Sequence, residues 1–272
     1  MTLIVKHLAI RRPSSNVRNR FLKCVSAVFL LALIVLIGDD YSEAVQKALP
    51  FKPGEKFIYK AKWRSIPAGE ASIEILPFTT VNGIKTYHFV MKTKTNAKID
   101  LFYRIRDRED SYVDVNMTHT LLYLKKEISE HPRNIKVTYD WQKMTATRVN
   151  FGEISKPIAI APGTFDPVAL FFVIRMKNFK TGDVLEIPIT DGKTNFVAKA
   201  SIIRREKIAV GSKVYDTYVV IPDMERLEKA LKRKDKSKLK IWFTADEKKA
   251  PVKIESQVGV GKFVFELVST TF

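Results

Sequence analysis

Apolar and polar residues alternate along most of this chain, and a period of two admits sheet and little else. Phe57, Tyr59, Ala61 and Trp63 fall on one face of an extended segment, with Ile58, Lys60, Lys62 and Arg64 on the other. Ala71, Ile73 and Ile75 repeat the pattern, as do Tyr87, Phe89 and Met91, and Val137, Tyr139 and Trp141. Leu239, Ile241 and Phe243 alternate with Lys240, Trp242 and Thr244; Phe263, Phe265 and Leu267 follow. Strands wetted on one side belong to antiparallel sheets. The turns agree. Asn82-Gly83 and Asp191-Gly192 suit I′ hairpins, Gly211-Ser212 suits a II′ turn, and Pro67 to Gly69 is expected to link the first two strands.

Strands therefore succeed one another as hairpins, without strand-helix-strand units. No internal repeat or Pro/Gly-rich linker interrupts them. The expected organisation is a short lead over 45–50 and one β-rich domain over 51–272, with a seam near 155–165 as the alternative. The expected fold is mainly β: a curved antiparallel sheet or open β-barrel wrapping one apolar helix, plus a second short amphipathic helix.

The apolar helix is expected over 166–177. Asp166 suits the N-cap and Pro167 the first helical position. The residues from Val168 to Met176 then leave almost no polar face, so such a helix must be buried on most sides, in the concavity of the sheet. Arg175 is expected on the helix C-terminal carbonyls or a sheet carboxylate, with a ligand anion as the alternative. The amphipathic helix is expected over 223–234, capped by Asp223. It leads into KRKDKSKLK at 232–240. That run reads as a solvated loop. Its alternative is contact with an anionic membrane or polysaccharide through Lys232, Arg233, Lys234, Lys236, Lys238 and Lys240.

The N-terminus fixes the expected location. Residues 24–37 are unbroken apolar sequence, preceded by Lys6, Arg11, Arg12, Arg18, Arg20 and Lys23. That is the layout of a secretory signal peptide, with cleavage expected after Ala44. An uncleaved anchor is the rival, although the run falls short of the ~20 residues that span a bilayer. The net charge of +18 usually invites a nucleic-acid reading. In an exported protein its counterparts are lipid head groups, lipopolysaccharide phosphates and acidic polysaccharide. The single cysteine, Cys24, lies before the expected cleavage point, so no disulfide is expected.

Reaction chemistry has no signature here. His88, His119 and His131 stand outside metal-ligand spacing, and no G-x-S-x-G, P-loop or G-x-G-x-x-G occurs. Ser237 and Lys240 match S-x-x-K without its companion elements. Asp107, Glu109, Asp110 and Asp114 crowd one region and could form a cation site. Arg104, Arg106 and Arg108 beside them favour ion pairing.

Several phrases in order carry a resemblance. Phe51-Lys52-Pro53-Gly54-Glu55 precedes Tyr59, Trp63 and Ile66-Pro67-Ala68-Gly69. Phe102-Tyr103 precedes Asp107 and Ser111-Tyr112. Thr164-Phe165-Asp166-Pro167 opens the segment ending in Arg175, and Ile241-Trp242-Phe243 precedes Asp246 and Pro251-Val252. Together they resemble the bacterial exported domain-of-unknown-function family 3108. The resemblance implies a β-rich domain in a Gram-negative envelope and supplies no catalytic residue.

The expected function is a non-catalytic periplasmic binding protein without a cofactor or nucleic-acid partner. Its apolar, lipid-like or glycan ligand would lie in a groove lined by Tyr59, Trp63, Phe171, Phe172, Arg175 and Trp242. An envelope adaptor acting through protein contacts, or a hydrolase, are the alternatives.

Overall fold

The computed structural model describes residues 49–129, 132–223, 238–258 and 261–272. One antiparallel sheet dominates it. A first meander contains β1 (Lys56–Trp63), β2 (Ile66–Val81), β3 (Ile84–Thr95), β4 (Arg106–Asp114), β5 (Thr120–Ile128), β6 (Arg133–Asp140) and β7 (Thr145–Asn150). Two short strands, β8 (Glu153–Ile154) and β9 (Ile158–Ala159), both pair with β7. A second meander contains β10 (Val184–Thr190), β11 (Asn195–Val210), β12 (Lys213–Pro222), β13 (Lys238–Thr244), β14 (Pro251–Val258) and β15 (Gly261–Thr271). The first and last strands join the meanders: β1 pairs with β15 from Lys56↔Thr271 to Trp63↔Phe263. The sheet order therefore runs β10 to β15, then β1 to β8. Among the described residues two helices complete the fold, α1 (Ala97–Asp100) and α2 (Ala169–Met176).

A sheet this wide accumulates twist and coils upon itself. Its ends meet around Phe165, whose N–H donates to Pro188 O at 2.9 Å and whose carbonyl accepts from Thr190 N at 3.0 Å. Tyr139 Oη donates to Thr190 O at 3.4 Å, and Asn195 Nδ2 donates to Ala159 O. Gly192 presses on β6 so closely that a Cβ there would lie 2.8 Å from a Val137 methyl. Among the described residues these contacts close the wall without a continuous ladder, so the sheet is an open barrel. Its outer edges are blunted: β8 and β9 are two residues each, and β10 carries Pro188 mid-strand.

The barrel holds α2 inside it. Every residue from Ala169 to Arg175 is buried, which is what an all-apolar helix requires. Phe172 stacks on Phe89 with ring centres 3.7 Å apart and meets Phe51 edge-on at 5.3 Å. The helix is shorter than the expected 166–177 because residues 167–168 form a turn. Asp166 still satisfies its first amides: Val168 N and Ala169 N donate to Oδ1 at 2.8 and 3.0 Å.

Asp166 also accepts from the Ser111 and Thr120 hydroxyls, at 2.5 and 2.7 Å. Burial nevertheless pushes its carboxyl up to about 6, the hydrogen bonds only partly offsetting the lost hydration. The folded chain thus holds this proton more tightly than the unfolded one, whose aspartates titrate near ~3.9. The resulting stability is present below pH ~4 and is lost as pH rises through about 6. Urea unfolding of wild type and Asp166→Asn across this range tests the point. Wild-type stability minus variant stability should fall by about 3 kcal/mol from acid to neutral pH, and a flat difference would refute it.

Two turn expectations are corrected. The first two strands are linked at Arg64-Ser65, with Arg64 at φ 55°, and Pro67 to Gly69 lie inside β2. Gly69 serves close approach instead, since a Cβ there would lie 2.1 Å from Lys94 O. At Asp191-Gly192 only the glycine has positive φ, at 77°, so the turn is not I′. Asp191 Oδ1 instead accepts from Lys193 N and Thr194 N, both at 2.9 Å, and braces a longer loop. Asn82 and Gly83, at φ 51° and 81°, do form the expected pair. The signal segment 1–44, the helix expected from 224 onward, His131, and Lys232, Arg233, Lys234 and Lys236 lie outside the described residues.

Candidate functional site

The residues assigned to a ligand groove do not share one. Tyr59, Phe171, Phe172 and Arg175 are enclosed in the core. Tyr59 donates to Pro251 O at 2.7 Å. Trp63 is half-buried and stacks on Phe263 with ring centres 6.4 Å apart. Trp242 belongs to the outer face of β13, where its Nε1 donates to Glu206 at 2.8 Å under the Lys253 ammonium. The concavity that could have held a ligand is packed by α2 and the surrounding rings. Lys238 and Lys240 are exposed on β13.

Arg175 satisfies a sheet-side carboxylate, one of its expected roles. Its guanidinium forks onto Glu55, with Nη2–Oε2 at 2.9 Å, and donates to Lys248 O at 2.9 Å and Pro50 O at 3.1 Å. The rings of Phe51 and Phe57 cover it at 5.3 and 5.2 Å. One side borders a cleft of about 780 Å³ beside Phe179 and Tyr218, at the C-terminal end of α2.

A second polar group stands inside the barrel and escaped the sequence reading. Lys125 is buried between Glu109 at 3.0 Å and Glu127 at 2.7 Å. Burial alone would lower its pKa, but the two carboxylates push it up to about 12. Tyr123 donates to Glu109 at 2.5 Å. The signal was the same alternation: Lys125 and Glu127 keep step with Leu121 and Tyr123. Two further acids of that region pair as ions or brace turns. Asp110 lies on the outer face with Arg108 and His88, at 2.6 and 2.7 Å. Burial opposes its charge, but hydrogen bonds from both partners hold it down at about 2. Asp114 accepts from Thr118 N at 2.6 Å and His119 N at 3.1 Å. Among the described residues no three His, Cys, Asp or Glu side chains cluster to hold a metal ion.

The outer face of β1 to β5 carries the feature with functional character. A groove of about 440 Å³ runs across these strands, lined by six cations: Lys56, Lys92, Lys94, Arg106, Arg108 and Lys126. Ile58 and Ile128 supply apolar walls. Strand register sets like charges opposite one another: Lys94↔Arg106 and Lys92↔Arg108 between β3 and β4, then Arg108↔Lys126 between β4 and β5. Such pairs destabilise a sheet, by up to about 1 kcal/mol each.

Acids answer this charge incompletely. Lys60 and Lys94 share Glu70 at 2.5 and 2.9 Å, and Lys56 and Lys92 share Glu74. Each glutamate and its two lysines keep one net positive charge. Hydrogen bonds from Lys60 and Lys94 hold Glu70 down at about 2. Glu74 is also depressed, its burial outweighed by the hydrogen bonds from Lys56 and Lys92. Arg106 forks onto Asp100 and Arg108 onto Asp110, both at 2.6 Å, and Asp107 also lines the groove, so the surplus charge lies on the lysines. The site is therefore built to accept anionic groups against a partly apolar wall.

The family model of a protein of unknown function, DUF3108, matches residues 58–268. The chain belongs to the DUF3108 family. No curated protein matches it. Its fold is similar to the crystal structure of a β-barrel-like protein of domain of unknown function DUF1849 from Brucella abortus. The two are 8% identical, with 80% of this chain and 97% of the other covered at TM-score 0.53. That likeness concerns the fold alone. A putative exported protein with a YmcC-like fold from Bacteroides fragilis is 7% identical, with 82% of this chain and 98% of the other covered. Its TM-score of 0.30 is too low to speak for a common fold. Among the described residues of this DUF3108 protein no helix is long and apolar enough to cross a membrane.

Proposed function

We propose that this DUF3108 protein is a non-catalytic binding protein of the Gram-negative periplasm, released from its signal peptide near Ala44. It takes an anionic amphiphile of the envelope in the β1–β5 groove. The observation that carries this reading is the cationic ladder. Lys92, Lys94, Arg106, Arg108 and Lys126 face one another across three strands at a cost to stability that a bound anion would relieve. The lysine ammonium groups, which outnumber the glutamates they share, suit phosphate or carboxylate oxygens, and Ile58 and Ile128 offer a surface for an acyl or sugar portion. The basic n-region and apolar run at the N-terminus support export. The adaptor alternative gains nothing from the sheet edges, which are short or interrupted by Pro188.

Calorimetric titration with a short-chain alkyl phosphate, against its uncharged glycoside of equal chain length, tests the proposal. The phosphate should bind and the glycoside should bind at least ~10-fold more weakly, with affinity falling as salt is added. Arg108→Gln with Lys126→Gln should lose a further ~10-fold or more. Equal binding of both amphiphiles, or of the wild type and the double variant, would sink the assignment.

A further inference from the structure

We propose that the loop around α1 is a membrane-docking tip, whose Leu101 and Phe102 side chains enter the head-group layer of an anionic lipid bilayer. This goes beyond the groove reading and stands without it. Leu101 is 82% exposed and Phe102 59%, side by side at one end of the barrel. Ile66, 51% exposed, belongs to the neighbouring strand start. The loop is tied there, since Asn96 N donates to Ala68 O at 3.0 Å and Asn96 Nδ2 to Pro67 O at 2.7 Å.

The loop is firmly anchored, so the projection belongs to the fold. Ile99, Tyr103 and Ile105 turn inward and are buried, while Leu101 and Phe102 between them turn out. Asn96 caps α1 by accepting from Ile99 N at 3.0 Å. Ile105 N donates to Thr95 Oγ1 at 2.9 Å, and Arg106 clasps Asp100. A rigid pair of large apolar side chains aimed at water has the form of an interfacial anchor.

Charge names the partner. Lys98 and Arg104 flank the apolar pair and are exposed, and Arg64 is exposed on the adjoining β1–β2 turn. The one acid of the loop, Asp100, is held by Arg106. An apolar tip ringed by cations complements a bilayer rich in anionic head groups, whose potential extends about one Debye length. Lys94 and Arg106 lead from this loop into the groove, so docking would bring the groove mouth to the lipid surface.

The test uses the exported protein, released from its signal peptide, so that the N-terminus is the same in all variants. Vesicles are phosphatidylethanolamine with a phosphatidylglycerol minority, or phosphatidylcholine alone. With the anionic vesicles, Phe102→Trp should show a blue-shifted emission and quenching by brominated lipid, after subtraction of the wild-type signal. Leu101→Ser with Phe102→Ser should sediment with vesicles on the order of 100-fold more weakly. Its melting temperature should be retained, and Val214→Ser, on the hairpin at the opposite end of the strands, should bind as wild type. An unshifted and unquenched difference signal from Phe102→Trp, or a serine variant that binds like wild type, overturns the tip. Alkyl phosphate titration of the serine variant separates the two proposals. Retained binding leaves the groove standing whatever the vesicles show, and its loss with vesicle docking intact would count against the groove alone.

Discussion

Phe172→Ala should cost on the order of 3–5 kcal/mol, and Phe171→Ala nearly as much. The two rings leave α2 about 100° apart, so a helix lying on a flat sheet could bury only one of them well. Here both are 1% exposed, because the wall surrounds the helix. Phe172 also carries the ring contacts to Phe89 and Phe51, so its loss opens a cavity between β3 and the helix. Typical domains are stable by about 5–15 kcal/mol, so either variant should melt far below wild type or be degraded. Near-wild-type melting of both would mean that α2 does not fill the barrel.

Arg175→Met should be as damaging, for an electrostatic reason. Arg175 and Glu55 are 1% and 2% exposed, and the fork between them is the compensation for two buried charges. Removing the guanidinium strands the carboxylate and takes donors from Pro50 O and Lys248 O. Breaking such a pair from one side costs about 3–5 kcal/mol. The second half of the cycle is diagnostic. Arg175→Met combined with Glu55→Gln should recover part of that loss, since the stranded charge has gone. A single variant within about 1 kcal/mol of wild type, or a double variant with no recovery, would contradict the geometry.

Much of this was legible in the chain. Period-two patterning located the long strands, because one face of each meets a core and the other meets water. The apolar run after Asp166 announced a helix that must be surrounded. The groove was not legible, because its character comes from register. Lys94 and Arg106 are twelve residues apart in sequence and become directly opposed only through the particular path of the α1 loop. Each strand alone shows an ordinary solvated face. The aromatic groove expected from Tyr59 and Phe171 failed to appear for a related reason. Alternation says which side chains face inward, but how completely α2 fills the interior depends on the sheet's curvature. Lys125 and Glu127 illustrate the remaining gap: charged residues in step with Tyr123 do not read as core until Lys125 is seen seated between Glu127 and Glu109.

The pairing of β1 with β15 dictates an order of assembly. Among the described strands the earliest must wait for the latest, since β15 sits between β14 and β1. Until β15 is present, β1 can have β2 beside it but carries an open edge of unmatched amides and carbonyls. The incomplete chain is therefore a half-sheet with a sticky border and an uncovered apolar face. Completion is an all-or-nothing event of long sequence range, slow by the usual dependence on contact separation. A chaperone that shields this border during synthesis or passage would be acting at the seam where β1 and β15 finally meet.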